Sequence, residues 1–260
     1  MASNYWKNRM ARSQTLLSNR SIAEIEKKLK KYYGTAMKSS IAEFEKTYNK
    51  IMAQTADGKT PTVADLYKLD SYWEMQAQLR KELKKLGDRQ VAALSSIFEL
   101  NFFDVYYSIK LDGLEAFNTI DKEAASQLIN SIWCADGKSW STRVWDNTSL
   151  LLDTLNEELA KCVVTGKKTT QLKKILQERF SVSYSRADAL ARTEIAHIQT
   201  QAADQRYKDY GIAEVEIWAD KDERRCEHCG KLHKTRYPVG TRLPIPAHPN
   251  CRCCVIPVVD

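Results

Sequence analysis

The strongest constraint on the fold lies in the last 35 residues, which contain five of the seven cysteines and three of the four histidines. Cys226 and Cys229 form a Cys-x-x-Cys turn, and after an eighteen-residue gap His248 and Cys251 form a His-x-x-Cys turn. Each turn directs two ligand atoms at one point, so the two turns together can complete a tetrahedron around Zn²⁺. The spacing therefore predicts a structural zinc site, because four protein ligands leave no open position for a catalytic water.

Two cysteines are candidates for the fourth ligand. Cys251 completes the His-x-x-Cys turn and is preferred, whereas Cys253 would lie on the same face of a strand beginning at Cys251 and is the alternate.

Free thiols or disulfides are the other interpretation of this cluster. The chain start has no apolar signal core and no long apolar run follows, so we expect a non-secreted protein with reduced thiols. Cys134 and Cys162 stand apart and are expected to be small buried hydrophobes.

Charge is unevenly distributed along the chain. Residues 1–160 hold 22 Lys and Arg against 21 Asp and Glu, whereas residues 161–260 hold 18 against 12. A dispersed surplus is more often a solvated surface than a nucleic-acid site, but a nearby polyanion would be favoured. Weak, non-specific contacts to double-stranded DNA are therefore expected near the Cys-x-x-Cys turn, from Arg224, Arg225 and Lys231.

The first 210 residues are predicted to form helices. A capping box predicts a helix start at Ser21, and Thr62-Val-Ala-Asp65 is predicted to open a further helix. Gly34 and Gly87 are predicted to end helices. Apolar residues at spacings of three and four predict further helices. These are expected over residues 35–55, 88–112, 121–134, 147–165 and 169–180.

The longest helical pattern runs from Ser185, the predicted cap, to Tyr210, with Gly211 as its end. Arg192 and Glu194 lie on its middle turns. They are either part of an exposed polar face or a partly buried structural pair that holds this helix to its neighbours.

After Gly211 the apolar period changes to two, which predicts a strand over residues 213–219. Val215 and Ile217 are expected on its buried face, and Glu214 and Glu216 on its exposed face. Segments 234–237 and 253–259 are candidates for a second and a third strand. The predicted fold class is α+β: a mainly α-helical N-terminal and central region followed by a small antiparallel β lobe stapled by zinc.

Several short motifs also follow one another in a set order over roughly residues 130–260. They are the segment from Asp136 to Asn147, Gly166, Phe180-Ser-Val-Ser, Ala191-Arg-Thr-Glu194, Tyr210-Gly-Ile, Asp222-x-Arg-x-Cys226-x-x-Cys229 and Pro246-x-His248-Pro-Asn-Cys-Arg-Cys253. Together they resemble the Mu F-like phage minor head proteins, also called head morphogenesis proteins. The order of the motifs is more specific than any one of them. His233 departs from the family, where an acidic or small residue is expected.

The resemblance implies a minor capsid protein of a tailed phage that lies at the portal and in the capsid interior of the virion. Its role would be head assembly or DNA delivery, with the portal protein and the scaffolding or major capsid protein as partners and no membrane contact. The resemblance divides the chain into a variable helical region (1–120), the helical part of the head-morphogenesis domain (121–211) and a zinc-knuckle lobe (212–260). It also supports Cys226, Cys229, His248 and one cysteine of the pair Cys251 and Cys253 as zinc ligands.

Enzyme classes fit the sequence less well, so we expect no enzymatic activity. Zinc deaminases need His-x-Glu and zincins need His-Glu-x-x-His, and both motifs are absent. Glu214-x-Glu216 is similar to the Glu-x-Glu of ADP-ribosyltransferases, but an exposed strand face is its commoner origin. The remaining alternatives are an HNH-type nuclease that uses His233 or His248 and a zinc-dependent nucleic-acid-binding protein. The latter would bind through a wider basic surface that adds Lys234, Arg236, Arg242 and Arg252.

Overall fold

The computed structural model describes residues 4–54, 60–111, 119–219 and 225–259. Its helices before residue 210 are α1 (Asn4–Gln54), α2 (Val63–Leu66), α3 (Asp70–Ser108), α4 (Lys122–Ile129), α5 (Trp140–Val164) and α6 (Thr169–Asp209). After them come β1 (Glu214–Trp218), α7 (Glu227–Leu232), β2 (Arg236–Pro238) and β3 (Cys254–Pro257). A mainly helical chain with a small C-terminal sheet is therefore confirmed.

The chain forms two compact units, and each combines separate stretches of sequence. Unit one comprises residues 1–26, 93–140 and 189–260, and unit two comprises residues 27–92 and 141–188. Helices α1, α3 and α6 each contribute residues to both units. The regions predicted from the sequence are instead consecutive, with boundaries at residues 120 and 211.

Three predicted helix boundaries are wrong because the helices continue through them. Ser21 does not cap a helix: it is buried within α1, and its hydroxyl accepts a hydrogen bond of 2.9 Å from the Asn101 side chain. Gly34 also lies inside α1. Ser185 lies inside α6, where its hydroxyl donates to the Ser181 carbonyl at 3.0 Å. Such side-chain bonds to the preceding turn are one way in which a helix accommodates serine in its interior.

Gly87, a further predicted helix end, also lies within a continuous helix. A Cβ at this position would overlap the ring of Trp145 on α5, so the glycine permits close packing between α3 and α5. The predicted helix start at Thr62 is confirmed: Thr62 is the N-cap of a capping box, and its hydroxyl accepts from the Asp65 amide at 3.2 Å. The helix that it starts, α2, ends at Leu66, and α3 begins at Asp70.

Within unit two, α1 and α6 run antiparallel. Tyr48 near the end of α1 donates a hydrogen bond of 2.6 Å to the carbonyl of Lys167 just before α6, and Tyr33 earlier in α1 donates to the Ser183 carbonyl at 3.3 Å. Burial raises the pKa of Tyr33 to about 12. The interior of the unit is apolar and includes Leu29, Phe44, Met75, Leu83, Leu155, Leu159, Leu176 and Phe180.

Within unit one, the three strands form an antiparallel sheet in the order β2-β1-β3. The carbonyl of Val255 on β3 accepts hydrogen bonds of 3.1 Å from both Gln14 on α1 and Tyr207 on α6. A cluster of Ala11, Trp218 and Ile256 also packs residues of α1 against the sheet. The sheet that leads into the cysteine cluster is thus held by both helices.

The exposed face predicted for the first strand is only half right. Glu214 is exposed and pairs with Arg236, whereas Glu216 is only 4% exposed. A salt bridge of 3.0 Å from Lys7 on α1 compensates the carboxylate of Glu216. The strand itself is confirmed, but its residues from Val215 to Trp218 are all buried, because α1 covers the face that was expected to meet solvent.

Candidate metal centre

The Cys-x-x-Cys turn forms the start of the short helix α7. Cys226 is the N-cap of this helix, and its sulfur accepts a hydrogen bond of 3.3 Å from the Cys229 amide. Cys226 is exposed and Cys229 is buried. The first turn of α7 therefore sets the two sulfurs side by side, as the sequence spacing predicted.

His248 approaches both of these sulfurs. Its Nε2 lies 3.4 Å from the sulfur of Cys226 and 3.2 Å from that of Cys229. Its Nδ1 lies 2.9 Å from the Pro249 carbonyl, which only accepts, so Nδ1 carries the proton and Nε2 keeps a free lone pair. This is the tautomer that a metal ligand requires, fixed by the partner of the other ring nitrogen.

Both cysteines proposed for the fourth place lie close to Cys229, which also belongs to the group formed with Cys226 and His248. The sulfur of Cys251 lies 3.8 Å from that of Cys229, and the sulfurs of Cys229, Cys251 and Cys253 all lie within 4.8 Å of one another. The turn before Cys251 is closed by a hydrogen bond of 3.1 Å from its amide to the His248 carbonyl. Asn250 in this turn has a φ of 60°, a left-handed conformation that asparagine adopts more readily than most residues.

Three of the separations between these ligand atoms are close to those expected around a tetrahedral zinc ion. With bonds of about 2.3 Å to sulfur and 2.0 Å to nitrogen, neighbouring ligand atoms should lie roughly 3.5 to 3.8 Å apart. The distances from His248 to the two sulfurs of the Cys-x-x-Cys turn, and from Cys229 to Cys251, lie close to that range. Among the described residues, clusters of three or more potential ligands are confined to Cys226 with Cys229 and His248, and to Cys229 with Cys251 and Cys253.

The electrostatics of the cluster favour Cys251 over Cys253 as a thiolate. A hydrogen bond from Cys253 lowers the pKa of Cys251 to about 5, and the same contact raises the pKa of Cys253. The Cys229 amide lowers the pKa of Cys226, whereas burial raises the pKa of Cys229 to about 12. A coordinated cation would offset the burial of Cys229, because metal binding deprotonates a coordinating thiol.

The turn between His248 and Cys251 is attached to helix α6. The backbone amide of Asn250 donates a hydrogen bond of 3.1 Å to the hydroxyl of Thr193. Nearby, the guanidinium of Arg242 donates to the carbonyl of Trp133 at 2.8 Å. Neither contact could be predicted from local sequence patterns, because both join segments that are distant along the chain.

The two residues flanking Thr193 have described partners on other segments. Arg192 forms a salt bridge with Glu26 on α1, and both side chains are about two-thirds buried. Glu194 is only 1% exposed and accepts a hydrogen bond of 3.0 Å from Nε1 of Trp133. A direct pairing of Arg192 with Glu194 stays a prediction. The three consecutive residues thus contact α1, the turn before Cys251 and the loop before α5.

His197 lies one turn further along α6. Its ring stacks on Trp133 with centroids 4.4 Å apart, and it is only 3% exposed. Its Nε2 is buried with no hydrogen-bond partner among the described residues. Burial lowers the pKa of His197 to about 4. This histidine is therefore neutral at pH 7 and packs as an aromatic ring.

Acid is expected to destabilise the protein through His197. Its pKa is about 4 when folded and near 6.5 when unfolded, so its contribution to stability is complete above pH 6.5 and is lost as the pH falls toward 4. The full loss is about 3 kcal/mol at 1.36 kcal/mol per pKa unit. Urea midpoints from pH 7.5 to 4.5 measure it, with His197→Phe as the comparison because phenylalanine keeps the stack and does not titrate. Equal losses in both proteins would contradict the assignment, since metal-ligand protonation affects both alike.

The predicted DNA-contact residues differ in what the structure shows of them. Arg224 lies outside the described residues. Arg225 is exposed beside the cluster, and Lys231 is exposed but lies 2.7 Å from Glu227 one turn earlier in α7.

Of the residues in the HNH alternative, His233 accepts a hydrogen bond of 3.2 Å from the Ala219 amide, and His248 faces the thiols.

Comparison with known proteins finds one family whose match includes the whole cysteine and histidine cluster. Residues 153–256 match the family described as phage Mu protein F like protein. The matched range begins within α5 and ends on β3, so it contains every candidate zinc ligand. This part of the chain is similar to the phage Mu protein F like family. The recognition made from the ordered motifs is thereby confirmed.

No curated protein and no solved structure matches the chain. Among the described helices, none combines the length and apolar composition needed to cross a membrane.

Proposed function

We propose that this chain is a minor head protein of a tailed phage that acts in head assembly, DNA delivery or both. The observation that supports this role most directly is the family match, which covers α6, the sheet and all the candidate ligands. The proposed location is the capsid interior, close to the portal. The proposed protein partners are the portal protein and the scaffolding or major capsid protein.

The metal cluster has a structural role in this proposal. One zinc ion would be held by Cys226, Cys229, His248 and Cys251, with Cys253 as the alternate to Cys251. Four protein ligands leave no coordination position for an activated water, so the bound ion would stabilise the lobe and would not act as a catalyst. Hydrogen bonds within the protein would attach the lobe to the helices: the turn at His248 binds Thr193 on α6, and the sheet binds both α1 and α6.

Double-stranded DNA is the third proposed partner, bound weakly and without sequence preference. A protein inside a filled capsid is close to a polyanion, and Lys and Arg contacts to phosphate release counterions regardless of base sequence. Binding is therefore expected to fall steeply as salt rises.

Procapsid incorporation tests the proposed role. Co-expression with the portal, scaffolding and major capsid proteins of the same phage is expected to place this chain in sedimented procapsids, in few copies. Omitting the portal protein should reduce its incorporation. A chain that remains entirely outside procapsids when all of these partners are present would contradict the proposal.

A further inference from the structure

The positive charge of the chain belongs to the helical unit two and not to the unit that contains the zinc lobe. Unit two holds 22 Lys and Arg against 14 Asp and Glu, a net charge of +8. Unit one holds 18 against 19, a net charge of −1. The surplus counted along residues 161–260 arises mainly because residues 161–188, which hold 7 Lys and Arg against 2 Asp and Glu, belong to unit two. A polyanion would therefore be attracted mainly to unit two.

Within unit two, one stretch of α1 is purely basic. The sixteen residues from Lys27 to Ala42 contain five lysines and no Asp or Glu. Lys27, Lys31 and Lys38 are spaced by four and seven residues, which places them on one face of the helix. All three are exposed, and the opposite face carries buried residues that include Leu29, Tyr33 and Phe44. We call the three lysines the lysine face.

The lysine face differs from other basic positions of unit two in its pairing. Among the described residues, no salt bridge is formed by Lys27, Lys31 or Lys38. By contrast, Lys84 lies 2.9 Å from Asp88, Lys85 lies 2.6 Å from Glu82 and Lys161 lies 3.7 Å from Glu157. Among the described residues, no carboxylate thus lies within ion-pairing distance of the lysine face.

We propose that the lysine face of α1 binds the phosphate backbone of double-stranded DNA. The proposal rests on the head function proposed above, since it assigns the DNA contact of that function to a surface. From Lys27 to Lys38 the helix rises about 16 Å, at 1.5 Å per residue. A duplex of that length carries roughly nine phosphate charges, at one per 1.7 Å, so every lysine can reach a phosphate.

An acidic protein surface is the other partner that such a face could attract. Protein interfaces are depleted in lysine and have apolar cores, whereas the residues between these lysines include Gly34 and Thr35 and no exposed large apolar side chain. Counterion release from DNA requires only correctly spaced cations. The composition of the face therefore favours a nucleic acid.

The test compares variants that lose positive charge at different places, two of them by the same amount. Lys27→Gln, Lys31→Gln and Lys38→Gln together remove the lysine face, and Lys84→Gln, Lys85→Gln and Lys161→Gln together remove three paired lysines of the same unit. A third variant, Arg225→Gln with Lys231→Gln, alters the zinc lobe. Each full-length protein is titrated against labelled duplex at several salt concentrations, after circular dichroism has shown unchanged helicity.

The lysine-face variant is expected to reduce the slope of log K against log salt by about 2.7, because each neutralised phosphate contributes about 0.9 to the slope. The paired-lysine variant should keep most of the wild-type slope. Replacing the three residues of the lysine face by arginine should also preserve the slope, because phosphate attraction needs the charge and not the lysine itself.

Three results would overturn the proposal. Equal loss in both triple variants would mean that net charge alone acts, and loss only in the lobe variant would move the DNA contact to Arg225 and Lys231. If the wild-type protein does not bind duplex even at low salt, the lysine face does not bind DNA, and an acidic head protein becomes its expected partner. Procapsid incorporation of the lysine-face variant is measured in parallel. Normal incorporation together with abolished DNA binding separates this surface from the assembly role.

Discussion

Purified protein is expected to contain one zinc ion per chain, and Cys226→Ser is expected to lose it. The sulfur of Cys226 lies 3.4 Å from Nε2 of His248. Serine can still cap α7 in place of Cys226, but its hydroxyl does not replace the thiolate as a zinc ligand. Structural zinc contributes on the order of 10 kcal/mol or more to small zinc-dependent folds. Metal analysis gives the stoichiometry, and limited proteolysis reports whether residues 225–259 have become accessible.

Matched cysteine variants make this expectation specific. Cys134→Ser should keep its zinc, because Cys134 belongs to neither cluster of potential ligands. Cys251→Ser should lose zinc while Cys253→Ser keeps it, since Cys251 closes the turn at His248 and its sulfur lies 3.8 Å from that of Cys229. The reverse result would assign the fourth place to Cys253. A metal-free wild type that resists protease as well as a zinc-loaded one would refute the staple itself.

Sequence spacing was sufficient for the cysteine cluster because its geometry is local. A Cys-x-x-Cys turn and a His-x-x-Cys turn each fix two ligands within four residues, whatever the rest of the fold does. Only one long-range event, the meeting of the two turns, had to be assumed. The same locality explains why the cap at Thr62 and the strand at β1 were predictable.

Helix boundaries failed where a tertiary contact decides the conformation. Gly87 is a helix-ending residue by its own propensity, but a larger side chain there would meet Trp145 on another helix. Ser21 has the sequence of a cap, but Asn101 hydrogen-bonds to its hydroxyl inside α1. Neither partner can be inferred from the local sequence, since each lies more than fifty residues away.

Charge shows the same limit at a larger scale. Counting along the chain put the basic surplus in residues 161–260, whereas α1, α3 and α6 distribute their residues between two units. The sum over each unit reverses the assignment, because a field depends on neighbours in space. The lysine face of α1 is visible in the sequence, but its significance depends on knowing which unit it belongs to.

Glu194→Ala is expected to destabilise the protein by about 3 to 4 kcal/mol. The carboxylate is 1% exposed, so alanine leaves a cavity and removes the acceptor for Nε1 of Trp133. An unsatisfied buried donor costs about 1 to 3 kcal/mol, and the unfilled volume adds to this cost. Glu194→Gln should stay within about 1 kcal/mol of wild type, because the amide oxygen can accept the same hydrogen bond.

Arg192→Ala supplies the comparison on the adjacent position. Its ion pair with Glu26 is about one-third exposed on both sides, so its loss should cost at most about 1 kcal/mol. Urea midpoints of Glu194→Ala, Glu194→Gln and Arg192→Ala show which of the two residues contributes more to stability. If Arg192→Ala were the more damaging change, the helix would be held mainly by its ion pair to α1.

The expected order instead makes Glu194 the residue that fixes the position of Trp133. The carbonyl of Trp133 in turn accepts a hydrogen bond from Arg242 of the lobe, and its ring stacks on His197. Disturbing Glu194 should therefore also loosen the lobe, which proteolysis of residues 225–259 in zinc-loaded Glu194→Ala would reveal.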